Sequence, residues 1–257
     1  MVEHIELIDT HVHLDLPEFE SDRQVVITRC FTAGIGAITV GIDLGTSKEA
    51  VGLAGEHRHL WAAVGVHPHE AKTVDGAIIA QLKRLAQKER VVAIGEIGLD
   101  YYRDLSPRRT QRAVFRGQIE LARGLNLPII VHNRESTDEL VGILEELKPP
   151  YRGVMHSFLG DAGLALKFLS MGFYLGIGGP LTFKRNASLR GVVQGLPLDR
   201  LLVETDSPYL TPVPHRGKRN EPAYVRHVAE KLAEIKGVPL EEIAAQTTKN
   251  AIELFGL

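Results

Sequence analysis

The chain carries a single cysteine, Cys30, in 257 residues. One thiol forms no internal disulfide, which points to a reducing compartment and gives the expectation of a cytoplasmic protein. Long apolar runs are also missing. The most apolar stretch, "FLSMGFYLGIGGPLTF" at 168–183, is too short and too rich in glycine to span a bilayer. No basic-then-apolar leader stands ahead of the first strand signal, so no membrane partner is expected. Charge of either sign is not in excess: the formal net charge is -2 and the pI about 6.6. That balance excludes a grossly basic nucleic-acid coat and leaves room for a local basic patch. Linkers, low-complexity segments and charge runs that would mark a boundary are lacking. The expectation is one domain over 1–257, long enough to bury a sizeable core.

What the sequence does have is a repeated rhythm. Eight short apolar segments recur: "IELIDTH" (5–11), "AITVGI" (37–42), "WAAVGV" (61–66), "VVAIGEIGL" (91–99), "LPIIVH" (127–132), "RGVMHSF" (152–158), "FYLGIGG" (173–179) and "LLVETDS" (201–207). Between them the apolar period changes to that of a helix. Ser106–Pro107 reads as an N-cap and first-turn proline ahead of Val114, Gln118, Leu121 and Leu125. Ser136 and Glu139 read as a capping box before Leu140, Ile143, Leu144 and Leu147. Two further helices are expected in the tail, the first with Val225, Val228, Leu232 and Ile235 on one face and Gly237 closing it, the second following Pro239. Near-continuous apolar strands alternating with helices predict a parallel sheet buried on both faces. At this length that is an α/β protein with a closed (β/α)8 barrel of the TIM type; a doubly wound open sheet is the alternative.

The first strand ends in an unusual way. In "IELIDTHVHLD" the residues Asp9, His11, His13 and Asp15 follow at every second position, which would aim them to one face. Other strands end similarly: Glu96 in "AIGEIGLD", His132 in "IIVHNRES", His156 in "GVMHSF" and Asp206 in "LLVETDSPYL". The C-terminal ends of parallel barrel strands are where catalytic groups collect. Four histidines and two carboxylates at one mouth form a ligand set for divalent metal, and its size suggests two ions. Singly each has an ordinary structural role; their recurrence at the same point of five β–α units is what points to metal.

At these residues the chain closely resembles the TatD family of metal-dependent deoxyribonucleases, within the amidohydrolase-like barrels. The matching motifs are "IDTHVHLD", "VGVHPHE", "AIGEIGLDYY", "PIIVHNRES", "GVMHSFLG", "LLVETDSPYLTP", "RGKRNEP" and "TTKNAIELFGL", in order over essentially the whole chain. The resemblance implies a barrel with a hydrolytic metal centre. By motif position His11, His13 and Asp206 would hold one ion, and His132 and His156 the other, with Glu96 bridging. A bridging glutamate favours Mg or Mn, while histidine-rich ligation also accepts Zn. The activity implied is phosphodiester hydrolysis, 3′-to-5′ from the ends of single-stranded DNA. The same centre would also serve a hydrolase of an amide, a lactone or an aminoacyl ester such as D-aminoacyl-tRNA.

Further residues take expected roles around that centre. Asp206 is the candidate to orient the attacking water and accept its proton. His67 would lie near the substrate phosphate, as donor or proton shuttle; a loop histidine before Pro68 is the plain alternative. Asp9 and Glu204 are expected to support ligands from behind. Arg134, Lys184, Arg185, Arg216, Lys218 and Arg219 would give the mouth a basic rim. Tyr101, Tyr102 and Phe158 are candidates to stack on bases, and Tyr209 to pack in the core or a loop.

Overall fold

The computed structural model describes residues 5–257, and residues 1–4 lie outside it. Eight parallel strands run in sequence order around one sheet. They are β1 (Leu7–Val12), β2 (Ile35–Val40), β3 (Leu60–Val64), β4 (Val91–Asp100), β5 (Ile129–Arg134), β6 (Gly153–Met155), β7 (Phe173–Ile177) and β8 (Leu201–Val203). Helices alternate with them: α1 (Arg23–Thr32), α2 (Leu44–Glu56), α3 (Gly76–Leu85), α4 (Arg108–Leu125), α5 (Thr137–Glu146), α6 (Ala162–Ser170) and α7 (Ala187–Gly195). After β8 come α8 (Val225–Lys236) and α9 (Leu240–Phe255). The sheet curls back on itself through a bridge between Val12 and Ser207, so the fold is a barrel rather than an open sheet. Among the described residues no helix is long and apolar enough to cross a membrane.

Two apolar layers hold the barrel. Its interior is filled by Ile8, Ile38, Val40, Ala63, Ala93, Ile130, Val154, Tyr174 and Leu202, so every strand contributes. Ala251, Leu254 and Phe255 of α9 join this cluster. The second layer lies between strands and helices, where Phe115 and Ile119 of α4, Leu140 of α5 and Phe168 of α6 pack. Burying each such side chain contributes about 1.5–3 kcal/mol, which gives the scaffold its own source of stability.

The helices start close to where the sequence places them, but their capping departs from that reading. Ser106 caps nothing: its hydroxyl donates to the His69 carbonyl (2.7 Å) and accepts from Lys72 N–H (3.1 Å), while Pro107 itself precedes α4. The buried stripe of α4 is Gln111, Phe115, Gln118, Ile119 and Ala122, with Val114, Leu121 and Leu125 on its flank. Ser136 and Glu139 form no capping box. The Ser136 hydroxyl donates to the Leu99 carbonyl (3.0 Å), and the Glu139 carboxylate is taken by Tyr101 and Arg112. Gly237 does close α8 in the left-handed region, at φ 67°.

Candidate metal centre

Two irregularities in strand pairing build the centre. β1 gains one residue on β2 between Asp9 and Val12, and β4 gains one on β5 between Ile94 and Ile97. Such bulges re-aim side chains. His11 sits on the first bulge and Glu96 on the second. The period of two therefore does not run from Asp9 to His13, and the four alternate residues of β1 do not share one face. The Asp9 carboxylate instead accepts from Thr205 N–H (2.8 Å) and the Thr205 hydroxyl (2.6 Å), tying β1 to the end of β8. It accepts from the His11 backbone (3.3 Å), not the imidazole, so its expected support of that ring is replaced by support of the strand. Asp206 N–H donates to the His11 carbonyl and His13 N–H to the Ser207 carbonyl, both at 2.9 Å, which fixes the ends of β1 and β8 together.

The six strand-end residues converge. His11 Nε2 and His13 Nε2 are 3.2 Å apart, and Asp206 Oδ1 lies 3.9 Å from the first and 3.4 Å from the second. His156 Nε2 is 3.7 Å from Asp206 Oδ1, with its ring stacked on His11. Glu96 divides its oxygens. Oε2 faces His11 (3.4 Å) and His13 (3.9 Å), while Oε1 faces His132 Nδ1 (2.7 Å) and His156 Nε2 (3.9 Å). One carboxylate thus addresses both groups of imidazoles.

The outer contacts decide which nitrogen each ring turns inward. A neutral imidazole has one N–H and one lone pair. His13 Nδ1 donates to the Val40 carbonyl (2.7 Å), which leaves Nε2 as its inward lone pair. His132 Nε2 faces Asp100 Oδ2 at 3.2 Å, which leaves Nδ1 inward. His156 Nδ1 lies 2.9 Å from Glu204 Oε1, which leaves Nε2 inward. Glu204 is held in turn by Ser157 N–H (2.6 Å). Gly176 leaves the room Glu204 needs, since a Cβ there would lie 2.2 Å from Oε2. A carbonyl or carboxylate thus stands behind His13, His132 and His156, the arrangement that orients metal-binding histidines, whereas the buried Nδ1 of His11 has no hydrogen-bond partner among the described residues. The donor set and its backing fit a divalent cation. Sequence reasoning missed Asp100, which also takes His69 Nε2 (2.9 Å) and the backbone N–H groups of Tyr102 (3.0 Å) and Arg103 (2.8 Å). Its signal was there: a buried acid at the end of an apolar strand, next to a histidine-rich neighbour.

The electrostatics call for positive charge. Burial works against ionising Glu96 and Asp206, yet the imidazoles around them hold both carboxyls below their usual range. Burial likewise opposes charging His13, but the hydrogen bond and charge of Asp206, with Glu96, raise it to about 9. Burial is outweighed again at His156, which Glu204 and Asp206 raise to about 10. Without an ion, protons on these rings supply the cation that the carboxylates demand.

His67 is different. Burial pushes its pKa well below the usual value, so the ring is neutral. Its Nδ1 accepts from His69 N–H (3.1 Å), so Nε2 carries the hydrogen and points toward Glu96 Oε1 at 3.7 Å. His67, Glu96 and His132 do cluster. A neutral ring whose one lone pair is spent on a backbone N–H has none left for an ion, so His67 offers the centre a donor.

The comparisons with known proteins agree with this geometry. The family described as TatD related DNase matches residues 8–256. The chain belongs to the TatD family. It is 47% identical over 251 residues to "Uncharacterized metal-dependent hydrolase YabD" of Bacillus subtilis, covering 97% of this chain and 98% of that one. It is 38% identical over 259 residues to "3'-5' ssDNA/RNA exonuclease TatD" of Pantoea ananatis, covering 98% and 100%. Among solved structures, the TatD homologue YJJV from Escherichia coli superimposes with a TM-score of 0.92 at 32% identity, over 98% of each chain. The chain is accordingly a metal-dependent hydrolase of the TatD family.

Around this TatD-family centre the mouth residues fall into two groups. Arg134 and Tyr102 are exposed, and the Arg134 guanidinium lies 3.9 Å from the centroid of the Tyr102 ring. Lys184, Arg185 and Lys218 are exposed as well. Arg219 is not free: its guanidinium is bidentate on Asp22 at 2.8 Å, reaches Glu221 at 3.3 Å and lies over Phe19. That clamp engages the guanidinium that the sequence reading offers to substrate. Arg216 donates to the Thr211 carbonyl and stacks on Phe183. Phe158 is buried against Phe168 and presents no face to a base, while the half-buried Tyr101 has one face covered by Arg108 and its hydroxyl on Glu139. Tyr209 is 50% exposed with its ring 6.4 Å from that of His13, so it lines the mouth instead of packing inside.

Proposed function

We propose that this protein is a 3′-to-5′ exonuclease acting on single-stranded nucleic acid, DNA in the first place, with two divalent ions, Mg or Mn. One observation carries the reading: a carboxylate that addresses two imidazole groups at a barrel mouth flanked by an exposed arginine–tyrosine stack. A relative at 38% identity, named a 3'-5' ssDNA/RNA exonuclease, supports it. His11, His13 and Asp206 would hold one ion, His132 and His156 the other, and Glu96 both. Bound there, the ions would neutralise phosphodiester oxygens and make a water acidic enough to attack near neutral pH.

The chain's own groups do the rest. Asp206 orients the attacking water and takes its proton, since its second oxygen is free of the contacts that fix Oδ1. His67 donates Nε2–H to a phosphate oxygen, where the hydrogen bond strengthens as charge builds up. Arg134 and Lys218 contact flanking phosphates and Tyr102 stacks on a base. A recessed centre under loops admits a flexible strand more readily than a duplex.

The test is to incubate Mg- or Mn-loaded protein with 3′- and 5′-labelled single- and double-stranded oligonucleotides and size the products. Shortening from the 3′ end, faster on single strands, is expected. Intact DNA and RNA beside a cleaved amide or aminoacyl ester would overturn the nuclease reading.

A further inference from the structure

Another pair of imidazoles stands apart from the strand-end ligands. His215 lies in the loop after β8, and His227 lies in α8. Their Nε2 atoms face each other at 3.1 Å. Each ring is held from behind. His227 Nδ1 is 2.9 Å from Glu230 Oε2, three residues along the helix. His215 stacks on Tyr224, with centroids 4.1 Å apart and planes within 9°.

The carboxylate contact fixes the His227 tautomer, and the stack fixes the plane of the His215 ring. The Glu230 carboxylate only accepts, so His227 keeps its proton on Nδ1 and turns the Nε2 lone pair toward His215. With His215 protonated on Nδ1, two lone pairs converge on one point. Imidazole nitrogens bind zinc at about 2.0–2.1 Å, so two on one ion stand about 2.8–3.4 Å apart for angles between a right angle and tetrahedral. The spacing of 3.1 Å falls inside that window. A carboxylate behind a ligating imidazole is also what such sites use to fix the tautomer.

We propose that His215 and His227 form a peripheral site for a divalent transition ion such as Zn2+, with Glu230 orienting His227 and outside ligands or water completing the coordination. Two nitrogen donors and no carboxylate ligand favour Zn2+, Cu2+ or Ni2+ over Mg2+ or Mn2+, which separates this site in chemistry from the centre. An ion there ties α8 to the loop that carries Arg216 and Lys218. The inference does not depend on the nuclease reading.

The experiment is equilibrium dialysis against excess zinc, with metal counted per chain and each variant's thermal melt recorded. Wild-type protein should hold one zinc more per chain than His227→Ala or His215→Gln; the second lies in a loop and leaves α8 untouched. Glu230→Gln should keep that zinc with roughly ten- to hundredfold weaker affinity. Zinc should also slow trypsin cleavage after Lys218 in the wild type and not in the two histidine variants. Equal zinc content in all three proteins would overturn the proposal and leave the pair as a hydrogen bond between neutral imidazoles. Wild-type affinity in Glu230→Gln would overturn the orienting role.

Discussion

Asp100→Asn removes one negative charge and almost no volume from a buried position. Asp100 Oδ1 accepts from the N–H groups of Tyr102 and Arg103, and an asparagine oxygen can keep both bonds. Oδ2 faces His69 and His132, and there the substitution places an NH2 group against two imidazoles. Hydrogen bonds to charged groups contribute about 1.5–3 kcal/mol and neutral ones about 0.5–1.5 kcal/mol, so the change weakens each contact by about 1 kcal/mol. More important is the tautomer. An NH2 group at Oδ2 favours a lone pair on His132 Nε2 and moves the hydrogen to Nδ1, the atom facing Glu96. Loss of such outer contacts weakens metal affinity about ten- to hundredfold, or about 1.4–2.7 kcal/mol. The assay is a titration of chelated protein with Mn2+, with free ion followed by its EPR signal. One class of site should weaken by that factor while the class served by His11, His13 and Asp206 keeps its affinity. Unchanged binding, or an equal loss in both classes, would refute the argument that Asp100 sets the His132 tautomer.

Four further outcomes are expected. Glu96→Gln should weaken both classes of site in the same titration, because each oxygen faces a different imidazole group. Gly176→Ala should lower the thermal midpoint, by overpacking that costs about 1–3 kcal/mol, and should weaken metal binding at His156 by displacing Glu204. Tyr102→Ala should weaken single-stranded DNA binding by about 1–3 kcal/mol, and Arg134→Ala should flatten the salt dependence by roughly 0.7 in log–log slope, both with metal content unchanged in elemental analysis. The hydrogen bonds of Arg219 hold the Asp22 carboxyl below its usual value, so this stabilisation is present above about pH 4 and is lost as pH falls through the lowered value; melts of Arg219→Ala should therefore lie below wild type at pH 6 and converge with it in acid.

The eight strands were legible because a parallel barrel buries both faces of each, and residues such as 91–99 read as apolar runs broken only by Glu96. The helices' apolar faces were legible in part: Val225, Val228 and Leu232 are buried, whereas on α4 the stripe is shifted from Val114 to Phe115. Where helices start was legible, since α5 follows Ser136 and α9 follows Pro239, but the capping was not: Ser106 and Ser136 spend their hydroxyls on distant carbonyls that no local pattern announces. The bulges at His11 and Glu96 carry no sequence mark either, although they decide which way those side chains point. The Arg219 clamp was illegible for a related reason: its partner Asp22 is remote in sequence, and only the closed barrel brings them together. The convergence of strand-end histidines and acids was readable because it depends on where each strand stops, not on how it twists.

The seam between β1 and β8 sets a timetable for assembly. His11 and His13 are made near the start of the chain, while Asp206, whose backbone closes on His11, comes 193 positions after His13. At about 5–20 residues per second a ribosome takes about 10–40 s to cover that interval. Through all of it the two histidines lack the Asp206 carboxylate, with Glu96 as the one acid of the set made within it, and β1 lacks the neighbour that Asp9 holds through Thr205. An early capture of metal by the nascent N-terminus would therefore use an incomplete donor set, and a chain that terminates before β8 would carry a half-site only. Loading of this half of the centre belongs after the last strand has docked against the first.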